Sequence, residues 1–299
     1  MNKIINMTIK KYIEQFLHYL EVERGFSPRT IKAYDYDLIK FTDFLIENKK
    51  ETIESIKKVD IRSFLSDLAK NNAEITRARK LSTIKSFFKY LSREGILEIN
   101  PASDIETPKI PEKEPCYLTQ EEYQKLLSVI QIEAKPYYNL RDLAIVTLFL
   151  GTGVRLSELV GMNLNSVNLD ERSIKVRGKG NKERTIPLNS NVMVALEKYL
   201  KSRPNVNLDS LFISRLGNRL STGGIYHLIK GYLKRAGINK EKVGVHSLRH
   251  TFGASLLNKN VNLVVIQELL GHKRLETTRR YLHINNLDLR NAVDQIAFK

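Results

Sequence analysis

The chain has 299 residues, 42% hydrophobic and 27% charged, which suits one or two globular domains and includes no apolar run near the ~18 residues a bilayer span requires. The net charge of +16 points to a polyanionic partner, nucleic acid before an anionic membrane face. One cysteine, Cys116, excludes an internal disulfide framework and fits a reducing cytoplasm, and the opening MNKIINMTIKKYIEQF lacks the apolar stretch and cleavage site of a signal peptide.

Up to residue 100 the pattern is helical. Tyr12, Phe16, Tyr19 and Leu20 fall at helix spacing. Ser27-Pro28 reads as an N-cap followed by Pro in the first turn, ahead of the stripe Ile31, Tyr34, Leu38, Phe41 and Leu45. Asp60 reads as the cap of a third helix bearing Ile61, Phe64, Leu65 and Leu68. A fourth, over 74–94, carries Leu81, Ile84, Phe87, Phe88 and Leu91 and stops at Gly95. Arg77, Arg79, Lys80, Lys85 and Lys89 decorate it, either as a phosphate-contacting face or as a solvated one. The segment NPASDIETPKIPEKEP holds four prolines in sixteen residues and reads as an extended linker. The expected organisation is a domain over 1–100, a linker over 101–115 and a second domain over 116–299. Residues 1–113 hold 21 Lys/Arg against 17 Asp/Glu, and the remainder 28 against 16, so the second part is much the more basic. Half of its basic residues are Arg, the better residue for gripping phosphate oxygens.

After the linker, Thr119-Gln120-Glu121-Glu122 is a capping box. A helix follows it, then one over 138–150 ending at Gly151-Thr152-Gly153, and a short one over 155–161. Residues 173–177 and 184–188 alternate on either side of a Gly-rich turn and predict a β-hairpin. Helices are expected over 192–201, 224–236, 246–258, 263–270, 277–282 and 288–297. The fold class is mainly α: an N-terminal four-helix domain and a larger, α-rich second domain with a small antiparallel β-sheet.

Several residues could carry chemistry. His246 and Arg249 lie three apart and share a helix face. His250 follows His246 at a zinc-ligand spacing, but Ser247 stands where a metalloprotease has Glu, and no Cys or carboxylate cluster adds ligands, so no metal is expected. Arg155 stands at a helix start, with Glu158 one turn on to orient it. Gly178-Lys179-Gly180 does not fit a phosphate-binding loop, since Ser173 and Gly180 occupy positions that need Gly and Ser or Thr; Lys179 on a hairpin tip can still donate a proton. Tyr281 follows Leu270-Gly271-His272 in a basic segment, and a phenol needs nearby positive charge or a base to act as a nucleophile.

In order, Arg155, Lys179, His246-x-x-Arg249, Leu-Gly-His272 and Tyr281 resemble the catalytic set of the tyrosine recombinase (phage integrase-like) family, and the words GTGVRLSEL, GKGNKER, HSLRHTF and LLGH extend the match. SPRTIKAYDYDL resembles the DNA-clamping domain of the Xer-type members. The resemblance implies a site-specific recombinase that resolves chromosome or plasmid dimers. Tyr281 would form a 3′-phosphotyrosine link, Arg155, Arg249 and His272 would stabilise the transition state, Lys179 would act as general acid and His246 as general base, and Glu158 would support Arg155. No cofactor, ATP or metal is implied.

The implied partner is double-stranded DNA and not a membrane. Four subunits, of one kind or two, would assemble on two sites, with the helix over 288–297 (Leu289, Val293, Ile296) docking on a neighbour. The resemblance leaves room for an activator protein and implies a cytoplasmic, nucleoid-associated location. Other readings are a mobile-element integrase or transposase, a type IB topoisomerase, and a DNA-binding accessory factor without catalysis. Phe252-Gly253-Ala254-Ser255 departs from the commonest Xer-like words, and Lys273-Arg274 and Arg279-Arg280 make the segment around Tyr281 unusually basic.

Overall fold

The computed structural model describes residues 2–50, 52–108, 115–133, 136–178 and 183–271. The readings made for Lys179, His272 and Tyr281, and for helices over 277–282 and 288–297, lie outside the described residues. The chain divides into two compact units, Met1–Glu112 and Lys113–Lys299.

Unit one contains α1 (Asn2–Val22), α2 (Pro28–Glu47), α3 (Lys58–Ala69) and α4 (Glu74–Arg93). The Ser27 hydroxyl accepts from the Thr30 backbone N–H, with Pro28 in the first turn. Phe16, Leu38, Phe41, Leu45, Phe64, Leu81, Phe87 and Phe88 bury the predicted stripes against one another, each burial worth roughly 1.5–3 kcal/mol. α4 ends where Gly95 takes a φ of +71°.

Three details differ from the sequence reading. The N-cap of α3 is Lys57, and Asp60 acts from within the first turn, its Oδ2 accepting from the Lys57 N–H at 2.8 Å. A carboxylate at that position satisfies an end donor as well as a cap does, so the composition signal is the same. Lys80 belongs to no solvated face: its side chain is 6% exposed and pairs with the fully buried Asp37 at 3.3 Å. Arg79 and Thr83 also bond Asp37, tying α4 to α2. Finally, the Pro-rich segment begins by packing on this unit, with Ala102 and Ile105 in its core.

Unit two contains α5 (Gln120–Glu133), α6 (Pro136–Thr152), α7 (Leu156–Gly161), a 3-10 turn (Leu164–Ser166), β1 (Val167–Asn168), β2 (Ser173–Arg177), β3 (Glu183–Pro187), α8 (Ser190–Ser202), α9 (Thr222–Arg235), α10 (Val245–Asn258) and α11 (Leu263–Leu270). The Thr119 box is formed: the Thr119 N–H donates to Glu122 at 2.8 Å and the Glu122 N–H to the Thr119 hydroxyl at 3.3 Å. β2 and β3 pair antiparallel with Ile174 opposite Ile186, and β1 adds a third strand of two residues, too short for alternation to register. Ala144, Ile145, Val146, Leu148 and Phe149 are all fully buried, so α6 is apolar nearly all round and runs through the core against α5, α8 and α10. Among the described residues no helix is long and apolar enough to cross a membrane.

Candidate active site

α6 delivers the chain to the site through a turn that requires glycine. Gly153 has a φ of +60°, and a Cβ there would lie 2.5 Å from Phe252 and 2.8 Å from Leu270. Two residues on, Arg155 is the N-cap of α7. Its backbone N–H donates to Glu158 Oε2 at 2.7 Å and its Nη1 to Glu158 Oε1 at 2.7 Å. Its Nη2 reaches across to the Gly271 carbonyl at 2.7 Å.

Glu158 is 2% exposed at its side chain and takes a second guanidinium from β3. Arg184 donates Nη1 to Oε1 at 2.8 Å and Nη2 to Oε2 at 3.1 Å. Burial alone would raise the Glu158 pKa. The bonds and charge of Arg184 and the backbone and side chain of Arg155 outweigh it and hold the group down to about 2. The carboxylate is thus ionised and accepts four donors on its two oxygens.

Arg249 comes from α10 and is buried. Nη1 donates to the Gly153 carbonyl at 2.5 Å and Nη2 to the Leu270 carbonyl at 2.6 Å. Arg184 Nε completes the set at the Leu269 carbonyl, 3.3 Å away. Three consecutive carbonyls, Leu269, Leu270 and Gly271, therefore each receive a different guanidinium. These are the last two carbonyls of α11 and that of its C-cap, which have no helical partner and sit at the negative end of the helix. Gly271 closes α11 in the left-handed conformation, φ +63°, and a Cβ there would stand 3.0 Å from the Arg184 guanidinium.

The structure brings Arg155, Glu158 and Arg249 together around the end of α11, immediately before His272. His246 is exposed on the first turn of α10, one turn before Arg249. His250 is half-buried on the same helix and engaged in contacts of its own. Arg184 is the member that sequence reasoning missed. It stands inside the quoted word GKGNKER, but nothing local pairs it with a carboxylate 26 residues away. Among the described residues no three His, Cys, Asp or Glu side chains gather in a way that could hold a metal. Three guanidiniums against one carboxylate leave the cluster positive, an arrangement suited to stabilising an anion.

Comparisons with known proteins identify the family. Residues 116–287 match the phage integrase family, and residues 13–95 match the phage integrase N-terminal SAM-like domain. Tyrosine recombinase XerC of Thermodesulfovibrio yellowstonii is 40% identical over 293 residues, spanning 95% of this chain and 94% of that protein. Tyrosine recombinase XerD of Listeria monocytogenes is 36% identical over 292 residues, spanning 95% and 97%. Among solved structures, XerH site-specific recombinase bound to palindromic difH substrate in a post-cleavage complex is 25% identical, with a TM-score of 0.77 over 94% of this chain and 84% of that one. The chain belongs to the phage integrase family and is a Xer-type tyrosine recombinase, a DNA strand-exchange enzyme.

Proposed function

We propose that this recombinase binds double-stranded DNA and cuts and rejoins it at a specific site through Tyr281, which attacks a backbone phosphate to give a 3′-phosphotyrosine link and a free 5′-hydroxyl. Attack by the 5′-hydroxyl of another strand then reseals the backbone. The observation that carries this reading is the convergence of Arg155 and Arg249 on the adjacent carbonyls of Gly271 and Leu270. Neither guanidinium can lose its proton, and both reach the last described residues that precede His272 in the sequence; fixed positive donors of this kind would meet the charge that develops on nonbridging oxygens.

In this mechanism Arg155 and Arg249 hold those oxygens, Glu158 orients Arg155, and His272 adds a hydrogen bond. Lys179 protonates the leaving 5′-oxygen and His246 takes the Tyr281 proton. The first unit, with Ala102 and Ile105 in its core, clamps the DNA, the rest of the Pro-rich segment up to residue 115 links it to the catalytic domain over 116–299, and four subunits hold two sites. The helix over 288–297 docks on a neighbouring subunit, and an activator protein can gate the reaction. The excess of basic residues supports the DNA partner, and the similarity to tyrosine recombinases XerC and XerD supports a Xer-type role, which we take to be the resolution of chromosome or plasmid dimers in the cytoplasm, at the nucleoid.

A nicked suicide duplex tests the reading. The duplex carries the sequence that covalent capture selects from a randomised pool. The expected result is protein-linked DNA that survives denaturing gels and forms in excess chelator. Failure of any duplex to become linked would overturn it.

A further inference from the structure

Resting on the reading of Arg155 as a phosphate-holding residue, we infer that Arg184 is a positioning residue for strand cleavage: by bridging Glu158 and the Leu269 carbonyl it keeps Arg155 both fixed in place and electrostatically effective.

Glu158 grips Arg155 through Oε1 and through the Arg155 backbone N–H. Alone, that contact would fix the guanidinium but also cancel its charge, because a buried carboxylate at 2.7 Å is a poorly screened counterion. Arg184 places a second guanidinium on the same two oxygens. The group of three then keeps a net positive charge, and Glu158 can orient Arg155 without neutralising it. Lys cannot replace this fork, since a point charge does not span both carboxylate oxygens.

Geometry adds a second role. Arg184 lies at the start of β3, one residue after Glu183 and five after Lys179 in the sequence. Its Nε reaches the Leu269 carbonyl, and its Nη atoms reach Glu158 on α7. One side chain therefore joins the strand after Lys179, the helix after Arg155 and the end of the helix before His272. Gly271 permits this approach, because a Cβ there would press on the guanidinium.

The test compares Arg184→Gln, Arg184→Lys, Glu158→Gln/Arg184→Gln and Arg155→Ala on the captured suicide duplex. Binding affinity and single-turnover cleavage are measured separately. Arg184→Gln is expected to bind within about 3-fold of the parent but to cleave about 10–100-fold more slowly. Arg184→Lys should fall between the two. The double variant should cleave at least about 3-fold faster than Arg184→Gln, because the charge that Arg184 offsets has gone. A merely structural role predicts the reverse, a further loss. Parental cleavage by Arg184→Gln, or no recovery in the double variant, would overturn the inference while Arg155→Ala remains inactive. Parental cleavage by Arg155→Ala would instead overturn the phosphate-holding reading beneath it. Should Arg184→Gln fail to fold, parental cleavage by Arg184→Lys overturns the inference, and slowed cleavage at unchanged affinity supports it.

Discussion

Arg184 and Glu158 are 26 residues apart in sequence and meet as a two-pronged pair, at 2.8 and 3.1 Å, inside a site where Glu158 also holds Arg155. The pair makes the ionised state of a buried carboxylate part of the architecture of the active domain.

That gives a pH dependence. Glu158 is held down to about 2 in the folded protein, against roughly 4.3 for an unperturbed Glu. A depressed carboxylate contributes stability that is present above the unfolded value and is lost as pH falls toward the folded one. The stability gap between the parent and Glu158→Gln should therefore narrow between pH 6 and 3.5, by roughly 1 kcal/mol. Urea unfolding at the two pH values measures it, and an unchanged gap would remove Glu158 as the titrating group.

Gly153 yields a second prediction. Gly153→Ala forces a left-handed backbone on a residue with a Cβ and drives that Cβ into Phe252 and Leu270. The combined strain and overpacking should cost on the order of 2–4 kcal/mol. Because the Gly153 carbonyl also receives Arg249, cleavage should fall further than DNA affinity. Denaturant unfolding reading a loss under about 0.5 kcal/mol would contradict the crowding described for this turn.

The buried cluster of the first unit gives a third. Asp37→Ala leaves Lys80 buried without its carboxylate, a change that costs on the order of 3–5 kcal/mol. Asp37→Leu combined with Lys80→Met should recover most of that loss, since an apolar pair of similar volume needs no counterion. Equal instability of the single and double variants would mean that packing, and not the lone charge, dominates at this position.

How much of this was legible in the sequence follows from the range of each signal. The helices of the first unit and the run of α6 were readable because apolar periodicity is local, as Phe87, Phe88 and Leu91 show. The hairpin was readable from the alternation of Ile174, Val176 and Ile186, whereas β1 was not, because Val167–Asn168 is too short to alternate. Lys80 looked like surface because its partner Asp37 lies 43 residues away. Arg155 and Glu158 could be paired from their spacing of one helical turn. Arg184 and the three carbonyls at the end of α11 could not, because that arrangement exists only once β3, α7 and α11 are packed together.

Affinity supplies a fourth prediction. A surface that neutralises six or more phosphates should lose about 10³-fold in DNA affinity between 50 and 200 mM salt. A titration with the captured duplex that stays flat across this range would detach the +16 charge from DNA binding.

The nucleophile is the most direct test of the whole account. Tyr281→Phe, incubated with the nicked suicide duplex beside the parent protein, should bind the DNA with parental affinity and form no covalent adduct, while peptide mapping of the parental adduct should place the DNA on Tyr281. Covalent linkage by the Tyr281→Phe protein, or mapping to any other residue, would contradict it.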